Sequence, residues 1–409
     1  MKIAFILRRF PTLSETFILN QITGLMDLGH TVDIYSTMES DTEKIHPDVN
    51  SYRLLYHLKR LSVPKGWGAR VAGALPALAR GLLSSPLPTL RSLDVFRFGR
   101  SATSLRLLYL ASSFNKRYDI IHCHYGVLGD MGITLKKLGA GADIIVTSFH
   151  GFDITTWVGK HGELVYDDLF SEGDLFLPIS EKWRQRLIEL GCPSEKILVH
   201  HMGVDCERFT FKPRLLDKEG KIELASVARF VEKKGLEYSI RAVAALMDEY
   251  PRLRYTIAGN GELFEDMRKL VENLGASQCI KLSGWMPQNR ILELLQKSHI
   301  LITPSVTAAN GDQEGIPVVL MEAMAMGLQI VTTIHSGIPE LVEEGVTGKL
   351  VPERDPIALE NALRELLETP DEWSRMGRAG REKVESKFNS RKQVLKLVRY
   401  YDELTGTSS

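Results

Sequence analysis

Cysteine is scarce in this chain of 409 residues: Cys123, Cys192, Cys206 and Cys279 stand far apart, with no CxxC pair and no zinc-type spacing to histidine. That excludes a disulfide framework and a structural zinc site and fits a reducing compartment. His122, Cys123 and His124 are adjacent, but a strand points neighbours to opposite faces. No run of about 18 or more uncharged apolar residues exists, which excludes a membrane-spanning helix. The chain enters a strand pattern at once with Met1-Lys2-Ile3-Ala4-Phe5, so no signal peptide is expected and a cytoplasmic protein is. Charge of one sign is also lacking: 51 Lys and Arg balance 51 Asp and Glu, so no overall field favours nucleic acid as a partner. The motifs GxxxxGK[ST], GxSxG and HExxH and the EF-hand are absent, and no GxGxxG follows the first strand pattern. A P-loop nucleotidase and a dinucleotide dehydrogenase are thereby set aside, and no metal-ligand cluster is visible.

What the chain does contain is an alternation of short apolar runs with amphipathic stretches. Strands are expected at 3–7, 31–35, 120–122, 143–147 and 175–178, then at 224–228, 255–258, 280–282, 300–303 and 329–333. Helical patterns lie at 17–28, 181–190, 237–249, 263–274 and 289–296. Alternating strand and helix predicts parallel sheets covered on both faces, and the length predicts two of them. The boundary falls near 202–209, giving an α/β chain of two doubly wound domains, 1–205 and 206–385. A helical tail from about 373 to 404 packs on either domain or spans both.

Residues 59–117 carry eleven Lys and Arg against one acid, Asp94, interleaved with apolar residues such as Trp67, Leu83 and Phe96. Basic and apolar residues at helical spacing predict a surface for anionic membrane. The alternative is helices that pack on the first sheet with a solvated basic face.

The most informative segment runs from Glu314 through Gly315-Ile316-Pro317-Val318-Val319 to Glu322. It follows a buried strand and a polar loop, and Pro317 suits the first helical position. A helix start at the carboxyl end of a strand faces the ligand crevice. The free N–H groups of Gly315, Ile316, Val318 and Val319 there favour a diphosphate. Two carboxylates flanking an anion site suit hydroxyl groups, one set on a sugar and one on a ribose.

Arg229 and Lys234 follow the strand at 224–228 and can neutralise a leaving diphosphate. His150-Gly151-Phe152-Asp153 follows the strand at 143–147, and His150 can meet a sugar hydroxyl. Thr12-Leu13-Ser14-Glu15 fits a capping box with Thr12 as N-cap, whose exposed N–H groups face substrate. Gly259-Asn260-Gly261 and Gly284-Trp285-Met286-Pro287 are further crevice loops.

With these residues laid out, the chain resembles the retaining glycosyltransferases of family 4, over nearly its whole length. The family's E-x7-E motif is Glu314 and Glu322, its Arg/Lys pair is Arg229 and Lys234, and its HGxD segment runs from His150 to Asp153. The interdomain Gly-Val-Asp is Gly203-Val204-Asp205, ending at Phe209. The start, Phe10 to Phe17, is similar to the exopolysaccharide, colanic-acid-type subgroup. The resemblance implies the GT-B fold, a second domain that holds the nucleotide sugar, a first domain that holds the acceptor, and a last helix (about 386–409) crossing back. It implies catalytic roles for Glu314, His150, Arg229 and Lys234. Donor contacts come from Glu322, Gly315, Ile316, Val318, Val319, Gly259, Gly261, Met286 and Asp153, and acceptor-side contacts from Ser14, Glu15 and Thr16.

The expected function is transfer of a sugar from a UDP- or GDP-sugar to a polyprenyl-linked saccharide at the inner face of the cell membrane. No cofactor and no obligatory metal are expected. Two rivals stay open: a nucleotide-sugar 2-epimerase of the same architecture, and a non-catalytic nucleotide-sugar-binding protein.

Overall fold

The structure is a computed structural model that describes residues 1–12, 15–40, 45–114, 116–216 and 220–407. Two six-stranded, wholly parallel sheets form its frame. The first holds β1 (Lys2–Arg9), β2 (Thr31–Met38), β3 (Leu58–Arg60), β4 (Ile120–His124), β5 (Ile144–Phe149) and β6 (Leu175–Pro178), in the order β3-β2-β1-β4-β5-β6. The second holds β7 (Ile222–Val227), β8 (Leu253–Ala258), β9 (Ile280–Leu282), β10 (Ile300–Thr303), β11 (Gln329–Thr333) and β12 (Lys349–Val351), in the order β12-β11-β10-β7-β8-β9. The two orders are the same doubly wound pattern, and each reverses beside its first strand. The crevices therefore open where β1 meets β4 and where β7 meets β10. Central strands such as Ile3-Ala4-Phe5-Ile6-Leu7 are buried throughout, as helices on both faces require.

Two strands escape the sequence patterns. β3 and β12 have three residues each and sit at sheet edges, as β9 does. The apolar core of the first domain runs on into Ile316, Leu320 and Ile338 of the second, so the domains share a dry contact.

The helical tail is broken. One helix, Trp373–Lys387, lies on the second domain, where Gly377 abuts the backbone of Gly327. Asn389 then caps a new helix, Ser390–Thr405, by accepting the Lys392 N–H at 3.2 Å. This last helix packs on the first domain: Val394 meets Gly24, and the Tyr401 hydroxyl lies 2.6 Å from His122 Nδ1. The outgoing and returning crossings are neighbours. Val204 N–H donates to Phe388 at 2.8 Å and Ser390 N–H to Val204 at 2.9 Å.

Residues 67–113 form a lobe of six short helices on the first domain, from Trp67–Ala72 to Arg106–Ser113. The basic excess expected for 59–117 is smaller in space than in sequence, because acids from elsewhere meet it. Lys59 and Lys116 converge on Asp33 at 2.8 and 3.1 Å, Arg60 pairs with Glu39, and Arg117 pairs with Asp143. Arg70 is buried against the Pro64 carbonyl. Lys65, Arg80, Arg97, Arg100 and Arg106 stay exposed, among bare Trp67, Leu75, Leu83 and Phe96.

Candidate active site

The second crevice is built from the loops that follow β7 and β10. After β7 the chain turns through Arg229 into a short turn, Glu232–Lys234, that ends on Gly235 at φ +59°. A Cβ on Gly235 would lie 1.9 Å from the Pro304 carbonyl, so only glycine lets the two loops touch. That contact brings both lysines onto Glu314, with Lys234 Nζ at 2.8 Å and Lys233 Nζ at 3.2 Å. Lys233 also meets Asp312 at 3.0 Å. Burial alone would raise the Glu314 carboxyl, but the two ammonium groups outweigh it and hold it down at about 2. Glu314 is thus a mostly buried, ionised carboxylate with two cations.

The expected Arg229/Lys234 pair is divided by this arrangement. Lys234 belongs to the Glu314 cluster together with Lys233, which the sequence reading passed over. Arg229 is exposed and, among the described residues, forms no ion pair. Its field reaches the Tyr125 hydroxyl in the first domain.

The backbone at Glu314 is held as firmly as its side chain. Glu314 N–H donates to His335 Nε2 at 3.1 Å, and His335 Nδ1 lies 2.6 Å from Glu353. Because an N–H must meet an acceptor, Nε2 carries the lone pair and Nδ1–H donates to Glu353. Glu353 also accepts Thr307 N–H at 2.8 Å. Burial lowers His335, with Glu353 opposing. His335 and Glu353 went unremarked in the sequence, although His335 follows β11 as the other site loops follow their strands.

Pro317 stands as the extended N-cap, not as the first helical residue, and the helix runs Val318–Ala325. Val318 and Val319 carry its first N–H groups, which have no partner within the helix. Ile316 is buried, and a Cβ on Gly315 would strike Ile179 of the first domain at 2.2 Å. These two residues therefore form domain contact as much as crevice lining. Glu322 lies within the helix; burial pushes its carboxyl up to about 7, with Arg208 opposing. Among the described residues its carboxylate makes no hydrogen bond.

Gly259 has φ +141°, and a Cβ there would lie 1.8 Å from the Ala228 carbonyl. Its N–H donates to Gly284 at 2.8 Å, and Gly261 rests on Phe230. These glycines thus dock one crevice loop on another, beside half-buried Met286.

On the first domain, Asp153 is not open to a donor as expected. It is fully buried, and its oxygens accept N–H bonds from Gly126 at 2.9 Å and from His150 and Gly151 at 3.0 Å. Burial raises its carboxyl to about 6 against the pull of these bonds. Its work is to fold the His150 turn onto the helix Gly126–Leu138. His150 packs against Phe17 and Tyr125, and its Nε2 lies 3.0 Å from His124 Nδ1. Its Nδ1 is buried without a partner, and burial lowers the ring to about 3, so it is neutral.

The expected capping box does not form. The helix starts at Thr16 with Glu15 as N-cap, and no side chain caps it. Glu15 instead accepts the hydroxyls of Thr12 and Tyr125, each at 2.8 Å. Thr16 is half-buried at the helix start, and Ser14 lies outside the described residues.

The domains meet at the candidate residues themselves. Gly315 faces the His150 carbonyl, and Gly151 faces the Gln313 carbonyl. Among the described residues no three His, Cys, Asp or Glu side chains gather as a metal site, and no helix is long and apolar enough to cross a membrane.

Two Rossmann-like domains facing a cleft, with a last helix returning to the first, define the GT-B class. Anabaena HepE, solved in complex with UDP, has this fold at TM-score 0.71 and 15% identity, covering 98% of this chain and all of its own. Sucrose-phosphate synthase from Thermosynechococcus elongatus gives TM-score 0.70 at 18% identity, with full coverage of both chains. The family description "Glycosyltransferase Family 4" matches residues 14–208 and "Glycosyl transferases group 1" matches 207–383. The glycosyltransferase WcaL of Escherichia coli (strain K12), named for colanic acid biosynthesis, is 39% identical over 95% of this chain and 96% of its own. The amylovoran biosynthesis glycosyltransferase AmsK of Erwinia amylovora is 36% identical over 99% of this chain and 100% of its own. The chain belongs to the glycosyltransferases of family 4.

Proposed function

We propose that the protein transfers a sugar, with retention of configuration, from a UDP- or GDP-sugar to a polyprenyl-linked saccharide during exopolysaccharide assembly. The observation that carries this reading is Glu314, mostly buried and ionised between Lys233 and Lys234, one turn before the N–H groups of Val318 and Val319, which have no partner among the described residues. The diphosphate lies on those N–H groups and on Arg229, and the ribose hydroxyls meet Glu322. Glu314 accepts hydroxyls of the transferred sugar, which His150 meets from the other domain.

The C1–O bond to the diphosphate breaks, and its electron pair stays on the phosphate oxygen. The acceptor oxygen bonds to C1 on the same face, and its proton passes to that phosphate oxygen. Cationic and N–H groups stabilise the developing charge, so the reading requires no obligatory metal. HepE has been solved with UDP and with UDP-glucose, which supports a nucleotide-sugar donor. The names of WcaL and AmsK support the polysaccharide context. The exposed basic and apolar lobe at 67–113 supports work at the inner membrane face, as a peripheral cytoplasmic enzyme.

A panel of UDP- and GDP-sugars tests the reading, with release of nucleoside diphosphate and protection against unfolding as readouts. One donor should be hydrolysed slowly, and Arg229→Ala with Lys234→Ala should abolish turnover. A product that remains a nucleotide sugar, or unchanged turnover in the double variant, overturns it.

A further inference from the structure

Lys233 has no part in the proposed reaction, yet it is the most engaged side chain of the Glu314 cluster. Its ammonium lies 3.0 Å from Asp312 Oδ2 and 3.2 Å from Glu314 Oε1. Among the described residues Lys234 has one ion-pair partner, the other oxygen of Glu314, Oε2, at 2.8 Å. The Lys233 carbonyl accepts the Val306 N–H at 2.9 Å, which fastens this turn to the loop after β10. The side chains of Lys233, Lys234 and Glu314 are 12, 14 and 13% exposed. A carboxylate so poorly solvated is costly to leave without a cation.

Two ammonium groups and two carboxylates make the cluster neutral. A nucleoside diphosphate adds negative charge beside it. Arg229 and the helix N–H groups oppose part of that charge, and an ammonium swinging over from Glu314 opposes more. The pairing decides which lysine can swing. Moving Lys233 strips a cation from both carboxylates and leaves Asp312 with none among the described residues. Moving Lys234 breaks one pair, and Glu314 keeps Lys233. The vacated Oε2 then has lone pairs for hydroxyls of the transferred sugar.

We propose that Lys233 is a positioning residue, the fixed counter-ion of Glu314, and that donor binding draws Lys234 from this carboxylate to the diphosphate. Lys233 touches neither phosphate nor sugar; its charge keeps Glu314 an acceptor after the exchange. Burial acts to raise the Glu314 carboxyl, and Lys234 and Lys233 oppose it. With Lys234 on the phosphate, only Lys233 still opposes burial. Glu322, raised by burial to about 7, shows where burial takes a glutamate that lacks such cations in this crevice. The other titratable groups at Glu314 are Asp312 and His335. Burial lowers His335, Glu353 opposes, and Lys182 acts with burial. The inference rests on the nucleotide-sugar reading of the same site.

The full-length protein is titrated with UDP and with GDP by calorimetry at about pH 7. Two buffers of different ionisation enthalpy report the protons taken up on binding, and the tighter nucleotide is carried through the variants. Lys233→Met keeps the length and loses the charge. It should bind that nucleotide at least about tenfold more weakly, the worth of a charge-assisted bond. It should also take up about half a proton more than the parent, as Glu314 loses its last cation and protonates. Glu322 titrates alike in both proteins and cancels. Lys233→Arg should restore affinity and proton count, whereas Lys233→Met with Glu314→Gln should lose the extra uptake, since an amide does not titrate. The matching nucleoside has no diphosphate and should bind parent and Lys233→Met equally, which reports folding. A merely structural role weakens binding without moving a proton. Unchanged uptake in Lys233→Met, extra uptake that survives Glu314→Gln, or no binding of either nucleotide by the parent overturns the proposal. If the extra proton appears while the parent turns over no nucleotide sugar, the counter-ion assignment stands and the transferase reading fails. Turnover without the extra proton is the reverse.

Discussion

The N–H of Glu314 is donated to Nε2 of His335 at 3.1 Å, so the backbone of the candidate sugar-binding acid is set by a neutral imidazole. Burial keeps His335 below its ordinary value of 6.5. An unfolded chain protonates it near 6.5 and the folded chain only at lower pH. Its contribution to stability is therefore full above that value and is lost as pH falls below it. Protonation also removes the lone pair that Glu314 N–H needs. Donor turnover should decline on the acid side. His335→Gln, which offers an oxygen to Glu314 and an N–H to Glu353, should flatten that limb. His335→Phe should lower kcat about tenfold or more at every pH, the effect of an unpaired buried N–H.

Glu322 titrates with the opposite sign. Burial raises it from 4.5 to about 7, so its contribution to stability is full below 4.5 and is lost as pH rises through about 7. In the donor-free protein Glu322→Gln should be the more stable form at about pH 8, by on the order of 2 kcal/mol, and should match the parent at about pH 4. The same change should weaken UDP binding about tenfold, since the ribose loses a charged acceptor. Thermal unfolding with and without UDP at both pH values measures the two effects together.

Glu340 of the second domain accepts the N–H groups of Glu181 and Lys182 at 3.0 and 3.3 Å, capping a first-domain helix from across the cleft. Glu340→Ala should remove about 1 kcal/mol of domain contact. Small-angle X-ray scattering of the donor-free protein should then report a larger radius of gyration.

The lobe at 67–113 exposes Phe96 fully and Leu83 to 90%, beside Arg80, Arg97 and Arg100. The protein should float with vesicles containing anionic lipid and not with neutral ones. Reversing those three arginines to Glu should abolish flotation and leave hydrolysis of a soluble nucleotide sugar unchanged. Raised salt should weaken the parent in the same way.

Glu314 and Glu322 are legible in sequence because a buried strand, a polar loop and a helix start lie within one short segment. Ten of the strands show as apolar runs for the same local reason, whereas the two short edge strands β3 and β12 do not. The partners of Glu314 depend on distance in space. Lys233 is 81 positions away and His335 is 21, and nothing near either residue announces the contact. Asp153 shows the converse. Its motif is conspicuous, yet burial turns both oxygens toward backbone N–H groups. The break in the tail had a local mark, Asn389 at the cap, but helical periodicity on either side conceals it.

Where the chain leaves the first domain and where it returns, Gly203 lies directly against Ser390, and Val204 exchanges backbone bonds with Phe388 and Ser390. Two crossings fastened side by side act as one pivot. They permit rotation about a single line and resist sliding or twisting of one lobe past the other. The relation of His150 to Glu314 then reduces to one angle. A ligand that touches both lobes selects that angle, and every other pair of residues facing across the cleft moves with it.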